Sequence, residues 1–277
     1  MKQVKLPGGE AVAALGQGTC QIAEDIALRA EEIATLRLGL DMGLTLIDTA
    51  EMYGDGRSEI LVGEALAGRR DEAFIVSKVY PHNATLAGTR KACTSSLKRL
   101  RTDRIDLYLL HWPGSVPLQE TVSAMQALQQ EGKIRYWGVS NFDAALLKKL
   151  GKQPGGEKAT TNQVLYNLMR RGIEWDLLPY MRQQGLPLMA YSPIEQGALL
   201  RDKKLIDFAQ RHAFTPAQAA LAWLLAQDGV IVIPKTSHRE RLKENAAAAA
   251  MALTPPQKRE LDLLFPPPVG ATPLAML

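Results

Sequence analysis

The chain is 277 residues long, 46% hydrophobic and 22% charged, with 33 basic against 29 acidic residues and a formal charge of +4. These values are ordinary for a soluble globular protein, and the length suits one large α/β barrel or two modest domains. A charge excess this small and scattered suits an anionic small molecule as well as nucleic acid and decides little alone, but no RNA- or DNA-reading motif accompanies it. Two cysteines, Cys20 and Cys93, frame no disulfide scaffold and imply a reducing, cytoplasmic setting. The opening stretch lacks the apolar core of a signal peptide, and no apolar run is long enough to span a bilayer.

In chain order, a hairpin is predicted first, residues 4–6 and 11–15 around the turn Pro7-Gly8-Gly9. Eight short apolar runs read as strands, at 12–16, 44–48, 74–77, 106–110, 136–139, 161–165, 188–191 and 230–233. They are nearly continuous in their apolar character, as parallel strands covered by helices should be. Helical patterns lie between them, as at 26–40 and 118–130. Thr215-Pro216-Ala217-Gln218 and Thr254-Pro255-Pro256-Gln257 each offer an N-cap Thr, a first-turn Pro and a Gln three on. The Pro-rich stretch 266–277 is expected to be non-helical and to lie over the surface. No linker divides the sequence, so one domain, 1–277, is expected. Eight alternations of strand and helix predict an α/β fold, a (β/α)8 TIM barrel with an N-terminal β-hairpin. A doubly wound dinucleotide fold is the rival. Its glycine fingerprint fails, because Gln21 stands where the third glycine after Gly16 and Gly18 belongs.

In such a barrel the chemistry sits at the C-terminal ends of the strands. The runs end at or just before Asp48 (with Tyr53 in the following loop), Lys78, His111, Ser140-Asn141, Tyr191-Ser192 and Lys235, and the sixth carries Gln163. Each has a plain structural reading: Asp48 as a helix cap, Tyr53 as a loop tyrosine, His111 as a core histidine, Ser140-Asn141 as a turn. Seven such coincidences at one rim favour a site. Asp48, Tyr53, Lys78 and His111 also form a chemical set. An ammonium beside a phenol is expected to lower the phenol's pKa, with Asp48 holding the lysine. The tyrosine then donates a proton to a developing alkoxide, and a neutral imidazole orients the carbonyl. A hydride for such a reaction comes from a cofactor. The four histidines and two cysteines show no metal-ligand spacing, so no metal is expected.

At this point the sequence resembles the aldo-keto reductases over essentially its whole length. The resemblance rests on GLTLIDTAEMYGDGRSE, FIVSK, DLYLLHWP, GKIRYWGVSNF, TNQVLYN, MAYSPI and VIPKTSHRERLKEN. It implies the barrel, NADPH, and reduction of small aldehydes, ketones and α-dicarbonyls. It also implies Tyr53 as proton donor, supported by Lys78 and Asp48, with His111 orienting the substrate. It places Gly18 and Thr19 beside the cofactor. Ser140, Asn141 and Gln163 fall on the nicotinamide carboxamide, Tyr191 on the ring, and Ser192 and Ile194 on the pyrophosphate. Lys235, Thr236 and Arg241 fall on the 2′-phosphate, with Glu244 and Asn245 near the adenine. Cys20, Tyr80 and Trp112 fall at the substrate. Where many members carry a tryptophan after Gly-Thr, this chain has Cys20, and the segments after Ser192 and Phe265 are short. In look it is most similar to compact bacterial reductases of methylglyoxal or diketo sugar acids. Lys235 before a helix opening with Arg239, Arg241 and Lys243 agrees with a phosphate site. A small-molecule carbonyl substrate, a monomer, and no nucleic-acid or membrane partner are expected. Two other readings are a cofactor-binding regulatory subunit, against which the intact four-residue set argues, and a barrel isomerase or aldolase without nicotinamide.

Overall fold

A computed structural model describes residues 2–277. The two-stranded antiparallel hairpin pairs β1 (Gln3–Lys5) with β2 (Ala11–Ala13). The following eight strands form one parallel sheet in sequence order. They are β3 (Gln17–Gly18), β4 (Leu46–Asp48), β5 (Phe74–Val79), β6 (Ile105–Leu110), β7 (Ile134–Ser140), β8 (Asn162–Leu165), β9 (Leu188–Tyr191) and β10 (Val230–Val232). The sheet closes on itself. Leu15 bridges Val232 and Gly18 bridges Lys235, both in parallel. The Gly16 amide donates to the Val232 carbonyl at 2.8 Å and the Gly18 amide to the Pro234 carbonyl at 2.9 Å.

The first barrel strand departs from the sequence reading. The apolar run 12–16 is split between two partners, its first part pairing within the hairpin and its end joining the last barrel strand. Only Gln17–Gly18 pairs with β4. A Cβ on Gly18 would lie 2.8 Å from the Ile233 carbonyl, so the close approach at this seam requires glycine.

The helices are α1 (Arg29–Asp41), α2 (Arg57–Ala65), α3 (Leu86–Leu100), α4 (Leu118–Gln130), α5 (Ala144–Gly151), α6 (Leu177–Gln183), α7 (Lys203–Arg211), α8 (Pro216–Leu225), α9 (Arg239–Ala247) and α10 (Pro255–Leu264). Both expected capping boxes form, at Thr215 with Gln218 and at Thr254 with Gln257. The helix expected at 26–40 begins with a turn of 3-10 helix at Ile26–Leu28, capped by Asp25. Every residue of β5 and β6 is buried, those on one face against the helices and those on the other inside the barrel. The stretch after α10 is non-helical, as expected. It is fastened by Arg171, which donates to the Phe265 carbonyl at 2.6 Å, and by Leu274, which packs on the core. With the β8 loop it encloses a cavity of about 690 Å3.

Candidate active site

The barrel brings Asp48, Tyr53, Lys78 and His111 together at its C-terminal rim. Lys78 points into the barrel and is fully buried, at 0% exposure. Its ammonium donates to Asp48 Oδ2 at 2.8 Å, to the Thr49 carbonyl at 2.8 Å and to Tyr53 Oη at 3.0 Å. All three of its protons are therefore used. Tyr53 starts the short 3-10 turn Tyr53–Gly56, and its oxygen receives a lysine proton. Its own O–H has no protein acceptor among the described residues. Asp48 Oδ1 accepts from Gln163 Nε2 at 2.7 Å, so the carboxylate is held on both oxygens.

Burial pushes the Tyr53 phenol well above its ordinary range, and Asp48 adds to the rise. This reverses the sequence expectation of a lowered value. For so enclosed a hydroxyl the cost of desolvating a phenolate, together with the nearby Asp48 charge, outweighs the pull of the Lys78 ammonium at 3.0 Å. The consequence is a tyrosine that keeps its proton at neutral pH, which is the form an acid needs.

His111 follows β6 and lies edge-on to Tyr53, with ring centroids 5.9 Å apart. Burial, and then the Lys78 charge, push its pKa down to about 3, so the imidazole is neutral. Its Nδ1 is buried without a partner. An unpaired lone pair costs less than an unpaired N–H, which favours the tautomer with the proton on Nε2, a donor for a substrate oxygen. Trp112 tilts against His111 at 4.8 Å, and Tyr80 stands edge-on to Trp112 at 5.7 Å. These rings form one aromatic wall, extended by His82 stacked on Tyr80. Cys20 is exposed, on the loop after β3.

A second group lines the same rim. Ser140 donates to the Gln163 carbonyl at 2.8 Å, and Asn141 Nδ2 donates to the His111 carbonyl at 3.1 Å. The Tyr191 hydroxyl donates to Asn141 Oδ1 at 3.0 Å. Asn141, with φ of 60°, holds a left-handed turn that asparagine tolerates better than most residues. Amide and hydroxyl groups so placed match the donors and acceptors of a carboxamide. Thr19 is tied inward instead, donating to the Asp48 carbonyl at 2.9 Å and accepting from Ser58 at 2.7 Å.

The remaining expected residues gather at the seam and at the start of α9. Lys235 and Thr236 are half-buried there and Arg241 is exposed; Glu244 is half-buried and Asn245 buried on the helix. Among the described residues neither Lys235 nor Arg241 enters an ion pair, whereas Arg239 is bound to Glu31 at 3.0 Å. Two uncommitted cations beside a helix N-terminus fit a phosphate. Ser192 and Ile194 lie in the half-buried loop after Tyr191. Together these groups fit a nicotinamide dinucleotide with an added phosphate. The sequence reading missed Thr49, whose backbone oxygen leaves no side-chain signal, and Asn167 and Glu195, whose pairing spans 28 residues. Among the described residues no group of three side chains is placed to hold a metal, and no helix is long and apolar enough to cross a membrane.

Comparison with known proteins agrees with this geometry. Residues 14–264 match the model of the aldo/keto reductase family. The chain is 47% identical to methylglyoxal reductase YeaE of Escherichia coli (strain K12), covering 100% of this chain and 99% of that protein. It is 36% identical to glyoxal reductase of Bacillus subtilis (strain 168), covering 84% of this chain and 83% of that one. The fold superposes with a TM-score of 0.97 on the crystal structure of an aldo/keto reductase from Klebsiella pneumoniae in complex with NADP and acetate. That protein is 47% identical, with 100% of this chain and 99% of that chain covered.

Proposed function

The chain belongs to the aldo/keto reductase family, and from that premise we propose that Tyr53 protonates the carbonyl oxygen of a small aldehyde or α-dicarbonyl. The protein is an NADPH-dependent carbonyl reductase. The observation that carries the assignment of the acid is the use of all three Lys78 protons, one of them on Tyr53 Oη.

The substrate oxygen sits between the Tyr53 hydroxyl and His111 Nε2. His111, neutral and donating, polarises and orients it. Bound NADPH supplies the hydride that the carbonyl carbon receives. As charge builds on the oxygen, the Tyr53 proton moves onto it and the alcohol is complete. The phenolate left behind accepts from the Lys78 ammonium, whose charge is worth most at that moment and in that buried setting. Asp48 keeps the lysine charged and aimed. Ser140, Asn141 and Gln163 hold the carboxamide, Tyr191 covers the nicotinamide ring, and Ser192 and Ile194 follow the diphosphate. Lys235, Thr236 and Arg241 hold the 2′-phosphate, with Glu244 and Asn245 near the adenine and Gly18 and Thr19 shaping the nicotinamide end.

The names of the two relatives, a methylglyoxal and a glyoxal reductase, support small α-dicarbonyls as substrates. Tyr80 and Trp112 form an aromatic wall, and the loop after β3 carries an exposed Cys20 rather than a further large ring, which leaves little surface to grip a bulky ketone. We read the working unit as a cytoplasmic monomer of one domain, in keeping with two free thiols. A carbonyl panel assayed by NADPH consumption tests the reading. Methylglyoxal should give a higher kcat/KM than any steroid ketone, and the reverse order would overturn it.

A further inference from the structure

The loop after Tyr191 is held in a conformation that its residues do not favour. Ser192, Glu195 and Gln196 have φ of 47°, 49° and 51°, and Gly197 has 91°. Only glycine enters this left-handed region freely. Backbone bonds close the turn, from the Glu195 amide to the Ser192 carbonyl at 2.9 Å and from the Gly197 amide to the Ile194 carbonyl at 2.9 Å.

What fastens the loop to the barrel is a buried carboxylate. Glu195 is 8% exposed, and its two oxygens accept from Asn167 Nδ2 at 2.6 Å and from Arg170 Nε at 2.7 Å. The same Asn167 amide donates to the Ser192 carbonyl at 2.9 Å, so one side chain pins the strained segment at Ser192 and at Glu195. Asn167 is itself fixed, fully buried, with its Oδ1 accepting from the Met169 amide at 2.9 Å. None of these groups touches Asp48, Tyr53, Lys78 or His111. A carboxylate here would repel an anionic ligand if it were unpaired. Arg170 neutralises it while keeping its own side chain 45% exposed.

We propose that Glu195, clamped by Asn167 and Arg170, is a positioning residue that pre-sets the Ser192–Gly197 loop for the cofactor's diphosphate. The proposal rests on the reading of Ser192 and Ile194 as diphosphate contacts. The ordering cost of the loop is met on folding and not on binding, which raises affinity without touching the chemical step. The diphosphate is common to NADPH and NADH, so the clamp acts on both alike.

The test is titration of Glu195→Ala, Glu195→Gln and Arg170→Ala with each dinucleotide, followed by quenching of protein fluorescence, alongside kcat at saturating NADPH. Glu195→Ala should raise both Kd values by the same factor, about tenfold, with kcat changed by less than about twofold. Glu195→Gln should fall between the wild type and Glu195→Ala, and adding Arg170→Ala to Glu195→Ala should weaken binding little further, because the two act as one unit. A folded Glu195→Ala protein with both Kd values within about twofold of wild type would overturn the proposal, as would weakening confined to NADPH. Should Glu195→Ala fail to fold, Arg170→Ala alone decides, its half-exposed side chain leaving little cavity. Both Kd values must then rise together, and unchanged values would overturn the proposal. Failure of the underlying reading is distinct, since Ser192→Ala and Ile194→Ala would then leave both Kd values unchanged.

Discussion

Lys78 Nζ stands 3.0 Å from Tyr53 Oη and donates to it, which leaves the tyrosine's own proton free of the lysine. The same ammonium is held by Asp48 at 2.8 Å, with side-chain exposures of 0% and 2% for the pair. Removing one member leaves the other as an uncompensated buried charge. Lys78→Met should therefore destabilise the protein by about 3–5 kcal/mol. Adding Asp48→Asn should recover most of that loss in urea unfolding, yet neither variant should regain turnover. Full stability in Lys78→Met would mean that Asp48 finds its neutralisation elsewhere.

The pH behaviour follows from His111 and Tyr53. With His111 at about 3 and the phenol pushed above its usual range, both groups stay in their working forms through neutrality. The kcat for reduction should be flat from about pH 5 to about pH 9. Stability should not be flat. His111 binds a proton in the unfolded chain below its ordinary 6.5 but not in the folded one until about 3. The folded state therefore loses stability as pH falls through that window. His111→Gln should weaken this acid sensitivity, measured as the change in urea midpoint between about pH 7 and about pH 4. An identical change in wild type and variant would show that the imidazole is not held neutral by the fold.

Cofactor choice should depend on Arg241. It is exposed and enters no ion pair among the described residues, so a 2′-phosphate finds it uncommitted. Charge-assisted hydrogen bonds contribute about 1.5–3 kcal/mol, so Arg241→Ala should raise the Kd for NADPH by about ten- to a hundredfold. The Kd for NADH, which lacks the phosphate, should change by less than about twofold, and the NADPH preference of the wild type should shrink in high salt. Equal weakening of both dinucleotides would make Arg241 structural. Wild-type preference for NADH would remove the phosphate site altogether.

Much of this architecture is legible in the sequence, and the exceptions have physical causes. The strands β5 to β10 announce themselves as buried apolar runs, and Thr215 and Thr254 mark their helices by local chemistry alone. The first barrel strand is hidden because the run 12–16 is shared between a hairpin and a closure seam, a division that only tertiary pairing decides. The four site residues can be read from the strand ends. The direction of the Tyr53 shift cannot, because it turns on how far the folded rim desolvates the phenol and how near it brings Asp48, neither of which is local in sequence. The Glu195 clamp is invisible for a simpler reason: its partners lie one strand earlier, and no local pattern links them.

The central claim is that Tyr53 is the proton donor, and Tyr53→Phe tests it most directly. The variant keeps the ring and loses only the hydroxyl. It should bind NADPH with a Kd within about twofold of wild type in a fluorescence titration. With methylglyoxal, its kcat by NADPH consumption should fall by about 100- to 10,000-fold, the contribution expected of a positioned general acid. A folded variant that binds NADPH and reduces methylglyoxal at a rate close to wild type would contradict the account.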